Sequence, residues 1–193
     1  MAIKEAVRPG GRSARVQEAV HQAVRELQTI KARDELTVPQ IAERAGVTPS
    51  TIYRRWGNLS ELVADVSVER MRPDEDPADT GTLAGDLLAW GQQYLEEMTS
   101  VPGQRALNDV MASAHDERRE RCCRYSESLM TTLHDRALSR GETPPPICKL
   151  VDGVVAPMTY RLLYDRDSAT VDNLQRWIDC TLKDGDPGVA CRQ

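Results

Sequence analysis

The sequence predicts an all-α protein of about nine helices in two parts, on three observations. Apolar residues recur at helical spacing along most of the 193-residue chain, and no alternation with a period of two is strong enough to indicate a sheet. Two short helices separated by a glycine occupy 37–56, which is the layout of a helix-turn-helix. An acidic segment bounded by prolines, 72–81, separates this part from the helices that follow.

The remaining helices are predicted from their apolar faces. In helix 1, for example, Val16, Val20, Val24 and Leu27 lie on one side. Pro157 predicts a kink in helix 8, because proline lacks the N–H group that the helix needs. The predicted bounds are about 13–31 for helix 1, 59–71 for helix 4 and 116–140 for helix 7, with helix 5 beginning near Leu83, helix 6 near Pro102, and helices 8 and 9 between 150 and 182.

The predicted pair of short helices has its own local signals. Thr37 and Gln40 have the spacing of a capping box, in which a hydroxyl and an amide satisfy backbone N–H groups at a helix start. Gly46 lies where the first helix must end, because glycine takes a left-handed conformation without strain. Thr48 is placed to cap the second helix, and Pro49 has the first position, which proline favours. Ser50, Thr51, Tyr53, Arg54 and Arg55 then supply hydroxyl and guanidinium groups to a surface.

The same stretch resembles the DNA-binding signature of TetR/AcrR-type transcriptional regulators. The matching pattern is TVxxIA followed by AxxAGVTxxTIYRRW, near the N-terminus. The resemblance implies that the second helix enters the major groove of double-stranded DNA. The alternative is a structural helical hairpin that never meets DNA. The residues expected to contact DNA are Arg12, Arg15, Thr37, Val38, Thr48, Pro49, Ser50, Thr51, Tyr53, Arg54, Arg55 and Asn58.

The sequence does not decide which of these residues contact bases and which contact phosphates. Arginine reads a guanine edge with two hydrogen bonds, whereas hydroxyl groups and tyrosine bind phosphates and fix the register. The sequence does not decide whether Arg54 or Arg55 faces a base. The family also commonly has a lysine just after the recognition helix, where it contacts a phosphate, and Leu59 occupies that position here. Asn58 and Glu61 still predict a cap for helix 4.

Charge is distributed unevenly along the chain. Residues 1–72 contain 12 lysines and arginines against nine acidic residues, whereas 73–193 contain 13 against 21. A basic N-terminal part in a chain of net charge −5 is expected when one end of a protein meets phosphates. Lys4 and Arg8 belong to a basic arm around a Pro-Gly-Gly sequence. This arm either reaches the minor groove or is a solvated terminus.

The second part resembles one type of C-terminal ligand-binding domain of TetR-like regulators, through DTGTLAGDLL at 79–88 and VDGVVAPMTYRLLYDRD at 151–167. The resemblance implies a homodimer formed by helices 8 and 9, where Gly153 and Ala156 allow close approach, unless these are simply core helices. It also implies an unknown small-molecule effector among helices 5 to 8, and the aromatic and methionine residues there would suit an apolar or amphipathic ligand. Arg161 is expected to pair with an anion or with a carboxylate on a neighbouring helix. The candidate pocket residues, each also suited to an ordinary core, are Trp90, Tyr94, Met98, Met111, Tyr125, Leu129, Met158 and Arg161.

Other classes of protein are not expected from this sequence. No apolar run approaches the roughly 18 residues of a membrane span and no signal peptide is visible, so a cytoplasmic protein with no membrane partner is expected. No glycine-rich phosphate loop, histidine metal motif or nucleophile elbow occurs, so neither an enzyme nor a cofactor is expected. The five cysteines are odd in number and lack metal-ligand spacing. They are expected to be thiols that pack between helices, with redox sensing as the alternative.

Taken together, these patterns and the resemblance to TetR-like regulators predict a homodimeric repressor that binds a palindromic operator and is released by an effector. A ligand-independent TetR-like activator or DNA-binding protein is one alternative, and a protein-interaction module that reuses the fold is another. The predicted limits are a flexible basic arm at 1–12, a helix-turn-helix domain including helix 4 at 13–71, a linker at 72–81, a helical regulatory and dimerisation domain at 82–185, and a tail at 186–193.

Overall fold

A computed structural model of the chain describes residues 11–72 and 76–183, except for the side chain of Arg12. All regular elements in those residues are helical, so the prediction of an all-α fold is confirmed. In this part of the chain, no helix has both the length and the apolar character needed to span a membrane. The helices are α1 (Arg12–Ile30), α2 (Val38–Ala45), α3 (Pro49–Trp56), α4 (Leu59–Arg70), α5 (Leu83–Thr99), α6 (Val101–Ala112), α7 (Asp116–Ser139), α8 (the consecutive segments Ile147–Leu150, Val151–Val155 and Ala156–Tyr164) and α9 (Val171–Lys183), with short 3-10 turns at Arg33–Glu35 and Arg166–Ser168.

The described residues form two compact units, whose boundary along the chain falls between Val66 and Ser67, within α4. The sequence placed the boundary later, in the acidic segment 72–81. Residues 1–10, 73–75 and 184–193 lie outside the described part, and they include most of the predicted arm and the whole predicted tail. The predicted limits at 13–71 and 82–185 stay a prediction.

The first unit is built around the apolar faces of four helices. Val20 and Val24 of α1, Ile41 of α2 and Ile52 of α3 are fully buried. Leu62 of α4 completes this core. These side chains recur at the helical spacing read from the sequence, because a surface helix must bury one face to be stable.

The second unit has a core of leucine, methionine and branched aliphatic side chains from α5 to α9. Close approach of α9 depends on two glycines. A Cβ on Gly91 of α5 would lie 2.6 Å from Leu174 Cδ2, and one on Gly153 of α8 would lie 2.2 Å from Thr181 Oγ1. Gly153 therefore serves packing within one chain, whereas Ala156, the other small residue noted in the sequence, is exposed.

Helix α8 changes its hydrogen-bond pattern just before Pro157. The segment Val151–Val155 is π-helical, and the Ala156 N–H donates to the Val151 carbonyl, five residues back. Proline has no N–H to donate, and its ring crowds the carbonyl four residues earlier. A wider π-helical turn at this point reduces that steric conflict within the backbone hydrogen-bond pattern. The kink predicted from Pro157 thus corresponds to a π-helical turn directly before it.

The C-terminal end of the acidic segment 72–81 is attached to α5 by hydrogen bonds to a buried carboxylate. Asp86 of α5 is 0% exposed, and it accepts hydrogen bonds from the Thr80 N–H and hydroxyl, both at 2.7 Å. Arg140 Nη2 donates to it at 2.9 Å, and Arg136 Nη1 lies 3.5 Å away. Burial alone would raise the pKa of Asp86, but the hydrogen bonds from Thr80 and Arg140 outweigh it and hold the pKa below its usual value.

The described cysteines agree only in part with the expectation of thiols that pack between helices, since Cys123 and Cys180 are exposed. Cys122, Cys123 and Cys180 are free thiols, whereas Cys148 is disulfide-bonded, which corrects the prediction of a thiol. A disulfide needs two Cβ atoms within about 4.5 Å, a condition that only tertiary structure decides. Burial raises the pKa of the Cys122 thiol to about 11, with a further contribution from Cys123. A thiol with a raised pKa is a poor nucleophile, so Cys122 is a packing residue.

Candidate nucleic-acid interface

The start of α2 and the turn after it have the geometry that the sequence predicted. The Gln40 N–H donates to the Thr37 hydroxyl at 3.5 Å, and the Thr37 N–H donates to Gln40 Oε1 at 3.2 Å, which confirms the capping box. Gly46 has a φ of 65°, the left-handed conformation that glycine adopts without strain. The Val47 N–H then reaches the Ala42 carbonyl at 2.9 Å and closes the end of the helix.

Thr48 does not cap α3 as predicted. Its side chain accepts no backbone N–H at the helix start. Instead, its hydroxyl lies 2.9 Å from the Ser50 hydroxyl and 3.0 Å from the Thr51 hydroxyl. These two hydroxyls, one and two residues beyond Pro49, compete for it, which explains the lost cap. The result is a cluster of three hydroxyl groups at the N-terminal end of α3, where the helix dipole also favours an anion.

The exposed face of α3 lies directly opposite its buried face. Ile52 is 0% and Trp56 6% exposed, and these two side chains attach the helix to the first unit. Successive helix residues are rotated by about 100°, so Arg54 projects about 180° from the mean direction of that pair. Ser50 and Thr51 lie on the same side as Arg54. An eight-residue helix thus offers a polar and basic surface backed by an apolar anchor.

The two arginines of α3 differ in their contacts. Arg55 Nη1 donates to the Ser13 carbonyl at 2.7 Å and Nη2 to Gln17 Oε1 at 3.1 Å, so it is attached to α1. Its guanidinium carbon also lies 5.2 Å from the centre of the Trp56 ring. Arg54 has no hydrogen-bond or ion-pair partner among the described residues and is exposed. The tertiary structure therefore distinguishes two residues that the sequence left equivalent.

A buried polar contact joins α3 to α1 and α4. The indole N–H of Trp56 donates to Asp65 Oδ2 at 2.8 Å, and His21 Nε2 lies 2.9 Å from the same oxygen. His21 and Asp65 are 2% and 6% exposed. Neither residue is among the candidates from the sequence, because an isolated histidine in helix 1 and an aspartate in helix 4 give no local sign that they meet.

The remaining DNA-contact candidates vary in their accessibility. Val38 is 4% exposed, so only its backbone is available to a ligand. Arg15 is exposed on α1, whereas the side chain of Arg12 and the predicted basic residues Lys4 and Arg8 lie outside the described residues. Tyr53 is 50% exposed on α3.

Helix α4 begins with the predicted cap, since Asn58 Oδ1 accepts the Glu61 N–H at 2.9 Å. Leu59, at the position of the family's lysine, packs against the core of the first unit. Its side chain therefore contributes to packing where the family commonly contacts a phosphate.

Comparison with known proteins identifies both parts of the chain. Residues 24–66 match the model of bacterial regulatory proteins of the tetR family, and residues 77–181 match that of the tetracyclin repressor-like C-terminal domain. This chain belongs to the TetR family. It is a DNA-binding transcriptional regulator, as the helix-turn-helix predicted.

Individual relatives agree with that assignment. The uncharacterized HTH-type transcriptional regulator Rv1556 of Mycobacterium tuberculosis is 28% identical over 159 residues, covering 76% of this chain and 75% of its own. The DNA-binding transcriptional repressor TetR of Mycobacteroides abscessus is 28% identical over 112 residues, 58% of this chain and 56% of its own. The crystal structure of the TetR family transcription regulator SCO0332 has a similar fold, with a TM-score of 0.68 at 24% identity, over 89% of this chain and 99% of that one.

The predicted effector residues all lie in the second unit, in different environments. Met98 and Met158 are 0% and Leu129 is 6% exposed, whereas Met111 is 47% exposed on α6. The Trp90 and Tyr94 rings are 5.6 Å apart between their centres.

The polar groups among the effector candidates are buried or have partners within the chain. Burial raises the pKa of Tyr94 to about 12, so its hydroxyl stays protonated at neutral pH. Tyr125 donates to Glu69 Oε1 at 3.2 Å. Among the described residues, Arg161 pairs with Asp165, the residue directly after α8, and not with a carboxylate on a neighbouring helix.

Proposed function

We propose that this chain is a homodimeric repressor that binds a palindromic operator through α3 and releases it when a small molecule occupies the second unit. The observation that supports operator reading is the polar face of α3 opposite Ile52 and Trp56. Hydroxyl groups of Thr48, Ser50 and Thr51 are suited to phosphates, and Arg54 is suited to a guanine edge. We infer a regulator without catalytic activity that acts in the cytoplasm, where bacterial DNA lies.

Two copies of the chain are required by the size of the reading surface. One recognition helix contacts too few base pairs to specify a site, so two-fold pairing and half-sites about 34–36 Å apart are expected. The face proposed for pairing lies on α8 and α9. Tyr160 and Tyr164 are 56% and 69% exposed there, with ring centres 5.1 Å apart. Exposed aromatic residues of this kind are typical of interface anchors.

The proposed effector site lies among α5 to α8 in the second unit. The buried methionines Met98 and Met158 and the ring pair of Trp90 and Tyr94 offer an adaptable apolar lining. A ligand that binds better to the DNA-free form than to the bound form would release the operator, whereas equal affinity for both would not. The named relative from Mycobacteroides abscessus, a repressor, supports this direction of regulation.

A selection of bound sequences from random DNA tests the operator, and light scattering tests the dimer. We expect an inverted repeat and a mass of two chains at micromolar concentration. Recovery of no preferred sequence, or a monomeric mass, would contradict the proposal. A mobility shift of the selected duplex against a metabolite collection then tests release. Binding that no metabolite changes would instead favour the ligand-independent regulator.

A further inference from the structure

We propose that Asp65 is a positioning residue for DNA recognition, because its carboxylate fixes the C-terminal end of α3 by accepting the indole N–H of Trp56. This inference rests on the proposal that α3 reads base edges. Asp65 lies on α4, inside the first unit, and its side chain has no access to DNA. Its proposed effect on α3 therefore acts through Trp56, the residue of that helix with which it forms a hydrogen bond.

Helix α3 needs such an attachment because it is short. It has eight residues, and isolated helices of about two turns do not persist in water. Ile52 and Trp56 are its only buried residues. Apolar contact is non-directional, so burial alone leaves the rotation of the helix about its axis weakly determined. A hydrogen bond favours a particular distance and angle, and so fixes that rotation.

The geometry of the contact joins three helices through a single oxygen atom. Asp65 Oδ2 lies 2.8 Å from Trp56 Nε1 of α3 and 2.9 Å from His21 Nε2 of α1. Burying a carboxylate is unfavourable unless hydrogen bonds compensate it, and both partners are themselves buried. Aliphatic side chains would fill this space with less desolvation, so the orientation of α3 is the property that the polar contact adds.

A small rotation of α3 is enough to disturb base reading. Turning a helix by about 10° displaces a group roughly 6 Å from its axis by about 1 Å. Arg54 lies two residues before Trp56, on the opposite side of the same helix, so its guanidinium undergoes this displacement. A two-bond contact with a guanine tolerates little misplacement, whereas a phosphate contact through a long side chain adjusts to it.

Two variants test this role, with binding measured well below the temperature at which each unfolds. Trp56→Phe removes the N–H and keeps an aromatic ring, and Asp65→Asn removes the charge at nearly constant volume. We expect Trp56→Phe to bind the duplex recovered by selection about tenfold more weakly. Asp65→Asn keeps an amide oxygen that accepts the indole N–H, so we expect a smaller loss there. Affinity for a random duplex, and its dependence on salt, should stay unchanged, because phosphate contacts persist.

Matched controls separate positioning from charge and from general stability. Asp34→Asn removes the same negative charge at an exposed site of the first unit, and we expect no loss of specific binding. The double variant of Trp56→Phe with Asp65→Asn should bind no more weakly than Trp56→Phe alone, because the carboxylate acts on α3 through the indole N–H. If Asp65→Asn does not fold, Trp56→Phe alone decides the matter.

Unchanged specific binding in a folded Trp56→Phe would overturn the proposal, as would an equal loss of specific and random binding. A different result would show that α3 does not read bases at all, which is the proposed function on which this inference rests. In that case Arg54→Ala would also leave the preference for the selected duplex intact. If Arg54→Ala abolishes that preference and Trp56→Phe does not, only the role of Asp65 fails.

Discussion

The guanidinium of Arg55 donates a 2.7 Å hydrogen bond to the carbonyl of Ser13, and so connects the end of the recognition helix to the first turn of α1. The preceding residue, Arg54, makes no such contact among the described residues. The two neighbouring arginines thus differ in their contacts. Arg55 attaches α3 to α1, whereas Arg54 is exposed to solvent.

Arg54→Ala is expected to lose about 1–3 kcal/mol of binding free energy at one base pair of the operator. Duplexes substituted at each position would show this, because the variant should no longer distinguish bases at the position that Arg54 reads. Arg105→Ala, which removes the same charge from an exposed site in the second unit, is the control. A uniform loss across all operator variants would instead identify Arg54 as a phosphate contact.

Arg55→Ala is expected to act differently, through the attachment of α3 to α1. Its hydrogen bonds are exposed, so the free energy of unfolding should fall by no more than about 1 kcal/mol. Denaturant unfolding checks the stability, and titration with the selected duplex checks binding. If Arg55→Ala selectively loses discrimination at one base pair, then Arg55 reads that base in the complex.

Leu59→Lys is expected to introduce the phosphate contact that the family commonly has at this position. The dependence of the logarithm of affinity on the logarithm of salt concentration should steepen by about 0.9 per half-site. The free energy of unfolding should fall, because Leu59 packs against the core of the first unit. Ser60→Lys adds the same charge at the adjacent exposed position, and an equal salt effect there would show that general charge is responsible.

Asp86→Ala is expected to lower the free energy of unfolding by about 1–3 kcal/mol, since it removes a buried acceptor of hydrogen bonds from Thr80 and Arg140. Arg140 is only partly buried and keeps Asp79 and Glu142 as partners. The pKa of Asp86 is lower in the folded state than in the unfolded chain. The carboxylate therefore stabilises the fold above the unfolded pKa, near 4, and this stability is lost as pH falls through the folded pKa. Unfolding measured from pH 2 to 7 should show a weaker acid dependence in the variant. Asp172→Ala, at an exposed site, is the control.

Gly153→Ala is expected to destabilise the second unit by about 1–3 kcal/mol, because its Cβ would lie 2.2 Å from Thr181 Oγ1. Thermal unfolding of the variant measures this effect. Combining it with Thr181→Ala removes the closest atom and should restore part of the loss. Gly11→Ala is a suitable comparison, since no atom of the residues that the structure describes lies within 4 Å of its added Cβ. A Gly153→Ala protein that unfolds normally but becomes monomeric would return Gly153 to the dimer interface.

Local signals in the sequence were sufficient for the helix-turn-helix. The capping box of Thr37 and Gln40 and the left-handed Gly46 depend on residues within a few positions of one another, so their geometry follows from the chain itself. The Thr48 cap failed because two nearby hydroxyl groups compete for its side chain. Competition of this kind is decided by side-chain orientation, which spacing does not reveal.

The sequence by itself determined the fold class, the order of the helices and the position of the helix-turn-helix, because hydrophobic spacing and capping are local properties. Only the tertiary structure decided which arginine of α3 lacks a partner among the described residues, that Leu59 packs inward, and that His21, Trp56 and Asp65 meet. Those facts join residues up to 44 positions apart. Contacts over such separations depend on how whole helices pack against one another, and no pattern within a single helix records that.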